Sequence, residues 1–149
     1  HSEADICVFM TQDAVPADES LIEMLVASFS KSKVAAAYAR QLPNETCREI
    51  EKYTRSFNYP EKSQVKSKAD LENLGIKTFF CSNVCAMYEK ETYDRLGGFI
   101  RRTIFNEDMI YAGGLIQKGY KIAYVAEAEV IHSHNYNAVE QFHRNFDIS

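Results

Sequence analysis

The chain has 149 residues, 46% of them apolar and 26% charged, with Lys plus Arg at 17 against Asp plus Glu at 21. That is one domain's worth, able to bury roughly two-thirds of its unfolded surface, and too rich in apolar residues for disorder. A net charge of −4 lacks the basic footprint of a nucleic-acid binder, and the longest apolar run, 34–39, falls far short of the ~20 residues of a membrane helix. Cys7, Cys47, Cys81 and Cys85 show no paired CxxC spacing, so neither a zinc knuckle nor a disulfide framework is indicated. The composition suggests a reduced, soluble, cytoplasmic globular chain.

Ile6–Met10 is a short continuous apolar run, the pattern of a strand buried on both faces. It gives way to the polar Thr11-Gln12-Asp13 and then Pro16. A helix follows, with Asp18 or Ser20 as its cap and Leu21, Leu25 and Phe29 at a spacing of four. Residues 34–40 read as a second strand. Between 42 and 70 the chain is polar and carries Pro43 and Pro60; Ile50, Tyr53 and Phe57 offer one face of a short helix there. Ordered structure resumes at 78–81 and again at 84–88. A helix over 89–96 closes on Gly97-Gly98, and another runs from Glu107-Asp108 to Lys118 before Gly119. Residues 121–125 and 128–131 are strand-like, and the tail 137–146 reads as an amphipathic helix. Strands alternate with helices, so the class is α/β with a mixed sheet.

Carboxylates at strand ends are the usual seat of metal and acid–base chemistry in open α/β sheets. Asp13 stands where the first strand runs out, placed either to hold a hard divalent cation or to cap a turn. Glu107-Asp108 opens a helix, where the dipole by itself favours acidic side chains. Such a pair can also divide labour, one anchoring and the other accepting a substrate proton. His132-Ser133-His134 follows a strand, and alternation sets both imidazoles on the same side. They are either metal ligands partnering Asp13 or a hydrogen-bonded surface pair.

Four segments in order carry a resemblance: residues 9–16 (Phe-Met-Thr-Gln-Asp-Ala-Val-Pro); Ser82-Asn83 with Leu96-Gly97-Gly98-Phe99; Asn106-Glu107-Asp108-Met109; and residues 130–136 (Val-Ile-His-Ser-His-Asn-Tyr). Together they resemble glycosyltransferase family 2 on a GT-A fold, and within it the bacterial rhamnosyltransferases, as does the tail 141–147. The resemblance implies that Thr11-Gln12-Asp13 occupies the place of the DxD motif. Thr11 and Gln12 then lie on the donor side, and Asp13 is the metal-binding aspartate. Asp108 matches the catalytic base and Glu107 a group that orients the acceptor or that base. His132 matches a metal ligand, with His134 as the second candidate, while Asn83, Gly97, Gly98 and Phe99 fall on the acceptor side.

The implied function is inverting, metal-dependent transfer of a sugar to a saccharide or lipid-linked saccharide acceptor in cell-surface polysaccharide synthesis. The implied donor is a nucleotide sugar, dTDP-L-rhamnose first, and the cofactor is Mn or Mg. The enzyme would work in the cytoplasm, peripheral at the inner face of the membrane. Family members place a nucleotide-binding half before the DxD strand, whereas 12 residues precede Asp13 here. The chain is therefore expected to be the C-terminal portion of a catalytic domain over 3–149, its N-terminal nucleotide-binding strands missing and His1-Ser2 foreign to it. By itself it should be catalytically silent, and its first strand should be an exposed edge through which two copies dimerise. Competing readings are a UDP-hexose transferase of the same fold, a non-catalytic glycan-binding module and, last, a metal hydrolase.

Overall fold

The computed structural model describes residues 4–137 together with 139, 140, 142, 143 and 146. Among the described residues six strands form one sheet: β1 (Ile6–Met10), β2 (Val15–Pro16), β3 (Val34–Leu42), β4 (Gln64–Lys66), β5 (Cys85–Glu89) and β6 (Lys121–Ile131). Their order is β1-β5-β3-β6-β2, with β4 also paired to β6. β5 runs antiparallel to β1 and β3, while β3 and β6 are parallel. β1, β3 and β6 therefore point the same way, and their carboxyl ends gather on one side beside the start of β5. That side carries the candidate site, where α/β sheets commonly place theirs. The sheet is mixed, as the sequence suggests.

Around it lie α1 (Leu21–Ala27), α2 (Glu49–Asn58), α3 (Leu71–Leu74), α4 (Lys90–Arg95) and α5 (Glu107–Gln117). Leu21 and Leu25 of α1 pack on one sheet face with Ala37, Ala39, Met87 and Val125. Tyr111, Ala112, Leu115 and Ile116 of α5 pack on the other with Ala36, Tyr38, Tyr88 and Tyr124. Across the sheet large residues stand opposite small ones: Ala36 faces Tyr88, Ala37 faces Met87 and Tyr38 faces Ala86. This alternation fills the space beside the alanine-rich β3 without crowding. Phe9, Tyr88, Tyr93, Phe99 and Tyr111 form an aromatic cluster beneath α5, with neighbouring ring centroids 5.0 to 5.9 Å apart, most of them edge-on. Lys66, only 3% exposed, donates to Tyr38 Oη at 3.1 Å, to the Lys77 carbonyl at 3.2 Å and to the Phe80 carbonyl. Three acceptors match its three donors, and burial brings its pKa down to about 8.

The structure differs from the sequence pattern at several points. β1 is an edge strand among the described residues, with Val8 47% and Met10 39% exposed, so its apolar run does not mean burial on both faces. The two strand-like pieces after Lys121 are one strand, interrupted where 126–128 are extra against β3. Residues 75–79 form a 3-10 turn, and 64–66 form β4 within the stretch read as loop. Ser20 precedes α1 but its side chain makes no cap; Asp18 instead accepts from the Ser20 N–H at 2.8 Å. α2 exists, but Ile50, Tyr53 and Phe57 point outward at 57–69% exposure while Glu51 and Arg55 face inward. In the tail, 139, 140, 142, 143 and 146 are helical, and the rest of 138–149 lies outside the described residues, as do His1-Ser2. No helix among the described residues is long and apolar enough to cross a membrane.

Candidate functional site

Asp13 sits on the turn that leaves β1, closed by the Ala14 N–H donating to the Thr11 carbonyl at 3.2 Å. The chain then enters β2, whose Val15 pairs with Ile131 at the end of β6. That pairing brings Asp13 beside the residues that follow β6. His132 is held there by its own N–H, which donates to the Leu42 carbonyl at the end of β3 at 2.9 Å. Its Nε2 lies 3.5 Å from Asp13 Oδ2, and His134 Nε2 lies 3.7 Å from the same oxygen. One ligand atom from each of Asp13, His132 and His134 lies within 4.8 Å of the others. Strand alternation sets the two imidazoles on one side, their rings edge-on at 4.7 Å. Ser133, between them, turns the other way and its Oγ accepts the Asn44 N–H at 3.1 Å.

The charges of this cluster suit cation binding. Asp13 is held below the usual carboxylate range, first by the neighbouring Thr11 side chain and then by backbone and imidazole groups, against a small loss of water. His132 is 8% exposed, and burial, then the positive charge of Arg55, lowers its pKa, so it is neutral at pH 7 and keeps a lone pair. Two imidazole nitrogens and one carboxylate oxygen fit a divalent ion with open positions, since ligands each ~2.2 Å from one ion stand ~3–4 Å apart. Mg prefers an all-oxygen shell, so of Mn and Mg this mixed set suits Mn.

Behind His132 runs a polar chain that the sequence alone did not single out. Gln41, a 2% exposed residue near the end of β3, places Oε1 3.1 Å from His132 Nδ1. The same oxygen accepts from Arg55, which is itself paired with Glu51 at 2.6 Å. The Gln41 amide nitrogen donates to Tyr59 Oη and, at 2.9 Å, to Ser82 Oγ. Its signal in the sequence was a glutamine beside Arg40 near the end of an apolar run.

Ser82 leads into the second group. The Asn83 N–H donates to Asp108 Oδ2 at 2.8 Å, and the Met109 N–H donates to Oδ1 at 2.7 Å. Asn83 Nδ2 is 3.3 Å from Glu107 Oε1, and Tyr88 Oη donates to Asn83 Oδ1 at 2.9 Å. Asn106, in the left-handed region at φ 65°, turns the chain into α5 so that Glu107-Asp108 open it. Loss of water raises the Asp108 pKa; the Glu107 charge adds to this, and the backbone N–H donors oppose it. Side-chain and backbone hydrogen bonds thus lead from His132 through Gln41 and Ser82-Asn83 to Asp108. A groove of about 640 Å³ lined by Ile76, Phe105 and Met109 lies on another face of α5 and includes neither carboxylate.

The remaining expected residues sit as follows. The Thr11 N–H donates to the Val84 carbonyl at 3.2 Å, which ties the Asp13 turn to the Ser82-Asn83 segment, and Gln12 is exposed on that turn. Gly97 and Gly98 both have positive φ and end α4, and the Gly98 N–H donates to the Tyr93 carbonyl at 2.9 Å. Phe99 is part of the aromatic cluster, and its N–H donates to Tyr93 Oη at 3.2 Å. In this structure Gly98 and Phe99 pack against Tyr93, while the Gly97 N–H donates to the Asp94 carbonyl at 3.1 Å.

A strand-end carboxylate thus stands beside two histidines on a mixed sheet, with a second carboxylate pair across a hydrogen-bonded bridge. The chain belongs to the family described as Glycosyl transferase family 2, which matches residues 1–97 and so includes Asp13 and Asn83. It is 50% identical over 145 residues to O-antigen chain rhamnosyltransferase RfbN of Salmonella typhimurium, and 46% identical over 145 to O-antigen chain rhamnosyltransferase WbaN of Salmonella anatum. Each alignment covers 97% of this chain, and the chain spans about half, 46%, of either relative. Among solved structures it is similar to the mannosyltransferase PcManGT from Pyrobaculum calidifontis in complex with GDP-Man and Mn2+, with a TM-score of 0.62 and 14% identity. That match covers 98% of this chain and 40% of the other, and it shows the shared fold.

Proposed function

We propose that this chain carries the metal, base and acceptor elements of an inverting rhamnosyltransferase. It would act on dTDP-L-rhamnose and a saccharide or lipid-linked saccharide in cell-surface polysaccharide synthesis. The convergence of Asp13, His132 and His134 from distant parts of the sequence carries the reading. The names of the two Salmonella relatives support rhamnose as the sugar. The enzyme would work in the cytoplasm, peripheral at the inner face of the membrane.

In this reading Asp13, His132 and His134 hold a divalent cation, Mn in preference to Mg. Such an ion would supply Lewis-acid stabilisation to the diphosphate that leaves. Thr11 and Gln12 border the donor. Asp108 accepts the proton of the acceptor hydroxyl at a carboxylate oxygen while that hydroxyl attacks the anomeric carbon, and Glu107 with Asn83 orients it. Base and leaving group on opposite sides of the sugar give inversion. Gly97, Gly98 and Phe99 shape the acceptor side, the latter two against Tyr93. The exposed β1 edge is the surface through which a second copy would pair, which a sizing measurement checks.

The test is an assay of the full-length protein with Mn2+ against dTDP-rhamnose, GDP-mannose and UDP-hexoses. Metal-dependent consumption of dTDP-rhamnose at least tenfold above the others is expected. Preference for a UDP-hexose would replace the donor assignment. Metal-independent glycan binding without turnover of any donor would favour a binding module.

A further inference from the structure

Gln41 is the junction of the polar chain, and its hydrogen bonds can be assigned without ambiguity. Arg55 carries donors only, so the atom of Gln41 that it meets must be the amide oxygen. That oxygen is also the partner of His132 Nδ1 at 3.1 Å. An oxygen without a proton can only accept, so Nδ1 must carry the hydrogen. The opposite end of the amide is consistent, since its NH2 donates to the hydroxyls of Tyr59 and Ser82. With the proton on Nδ1, Nε2 keeps its lone pair, and it is Nε2 that lies 3.5 Å from Asp13.

We propose that Gln41, oriented by Arg55, is a positioning residue that locks His132 as its Nδ1–H tautomer and so keeps Nε2 available as a ligand beside Asp13. The proposal rests on the reading of that cluster as a cation site. Metal-binding histidines commonly donate their second N–H to a fixed acceptor. Here the acceptor is an amide, which by itself could turn over and offer NH2 to Nδ1. That flip would move the proton to Nε2 and remove the ligand. Arg55 forbids it, because the flipped amide would set NH2 against guanidinium N–H. The inward-facing Glu51 and Arg55 of α2 thus gain a purpose: Glu51 holds Arg55, Arg55 holds Gln41, and Gln41 holds His132. A cation placed beside a cation site would weaken binding on charge grounds, so the arrangement is best understood through hydrogen-bond direction.

The test combines imidazole 15N NMR of the metal-free protein, at mildly alkaline pH, with Mn2+ titration of the same samples. Wild-type protein should show His132 protonated at Nδ1. Gln41→Glu, whose carboxylate can only accept, should keep that tautomer and an Mn2+ affinity within about threefold of wild type. Gln41→Leu should lose the single tautomer and about 10–100-fold in affinity. Arg55→Met should show mixed tautomers and weaker Mn2+ binding, although loss of a nearby positive charge would otherwise strengthen it. If Gln41→Leu fails to fold, Gln41→Glu and Arg55→Met still decide. Protonation at Nε2 in wild type, or an unchanged tautomer in Arg55→Met, would overturn the proposal. The Nδ1–H tautomer without any Mn2+ affinity in wild type would instead defeat the cation reading and leave the lock standing.

Discussion

Asp108 is the residue on which turnover should depend most sharply. Asp108→Asn keeps the shape and removes the basicity, so transfer in the full-length enzyme should fall at least ~100-fold with donor affinity nearly unchanged. Near-normal turnover would remove the residue from its role. Because loss of water holds its pKa above the ordinary 3.8, the acid limb of the rate–pH profile should turn over above that value, with activity lost as pH falls through it. Lys66 gives a stability counterpart of opposite sense. Its folded pKa of about 8 lies below the ordinary 10.5, so between these values the unfolded chain binds a proton that the folded chain does not. Stability therefore rises with pH through that window, by about 3 kcal/mol relative to a Lys66→Met protein. Unfolding titrations of the two proteins at several pH values check it; a constant difference would show that the ammonium is not destabilised by burial.

At the scale of elements, the close of α4 is the tightest point. Gly98 has φ +67°, and a Cβ there would lie 2.9 Å from Tyr93 ring atoms. Gly98→Ala should cost about 1–3 kcal/mol in denaturant unfolding, from left-handed strain plus displacement of the aromatic cluster. Helix α2 should behave oppositely. Its apolar residues face solvent, so Ile50→Ser should change stability by less than about 0.5 kcal/mol, whereas Leu25→Ala, at a fully buried position of α1, should cost about 2–5 kcal/mol. α2 also shows what periodicity can and cannot convey. Ile50, Tyr53 and Phe57 correctly marked a helix, but nothing in their spacing says that Glu51 and Arg55 are the residues turned inward. That choice is made by Gln41, on the preceding strand β3. β1 had its boundaries legible in an apolar run that suggested burial on both faces, while its place at the sheet edge was expected from the family resemblance alone. β6 read as two strands because residues 126–128 break its pairing with β3 without ending it.

For the whole molecule, the site arises because three strands point the same way and end together, while β2 folds Asp13 back onto the end of β6. The sequence contained the ligand types and their strand-end positions, which made Asp13, His132 and His134 legible as candidates. Their closeness belongs to the two-residue β2, too short to leave a pattern. The Gln41 bridge was illegible for a different reason: a buried glutamine has meaning only through its partners. Membership of Glycosyl transferase family 2 rests on the match over 1–97, whereas Asp108 and both histidines lie beyond it and depend on geometry. Residues from near the two ends of the chain thus converge on one candidate divalent-cation site. The direct measurement is an Mn2+ titration followed by electron paramagnetic resonance, on wild-type, Asp13→Ala and His132→Ala proteins. One bound Mn2+ per chain in wild type, weakened at least ~10-fold by either substitution, is the predicted result. Equal binding by all three proteins, or no binding by wild type even with nucleotide sugar present, would contradict it.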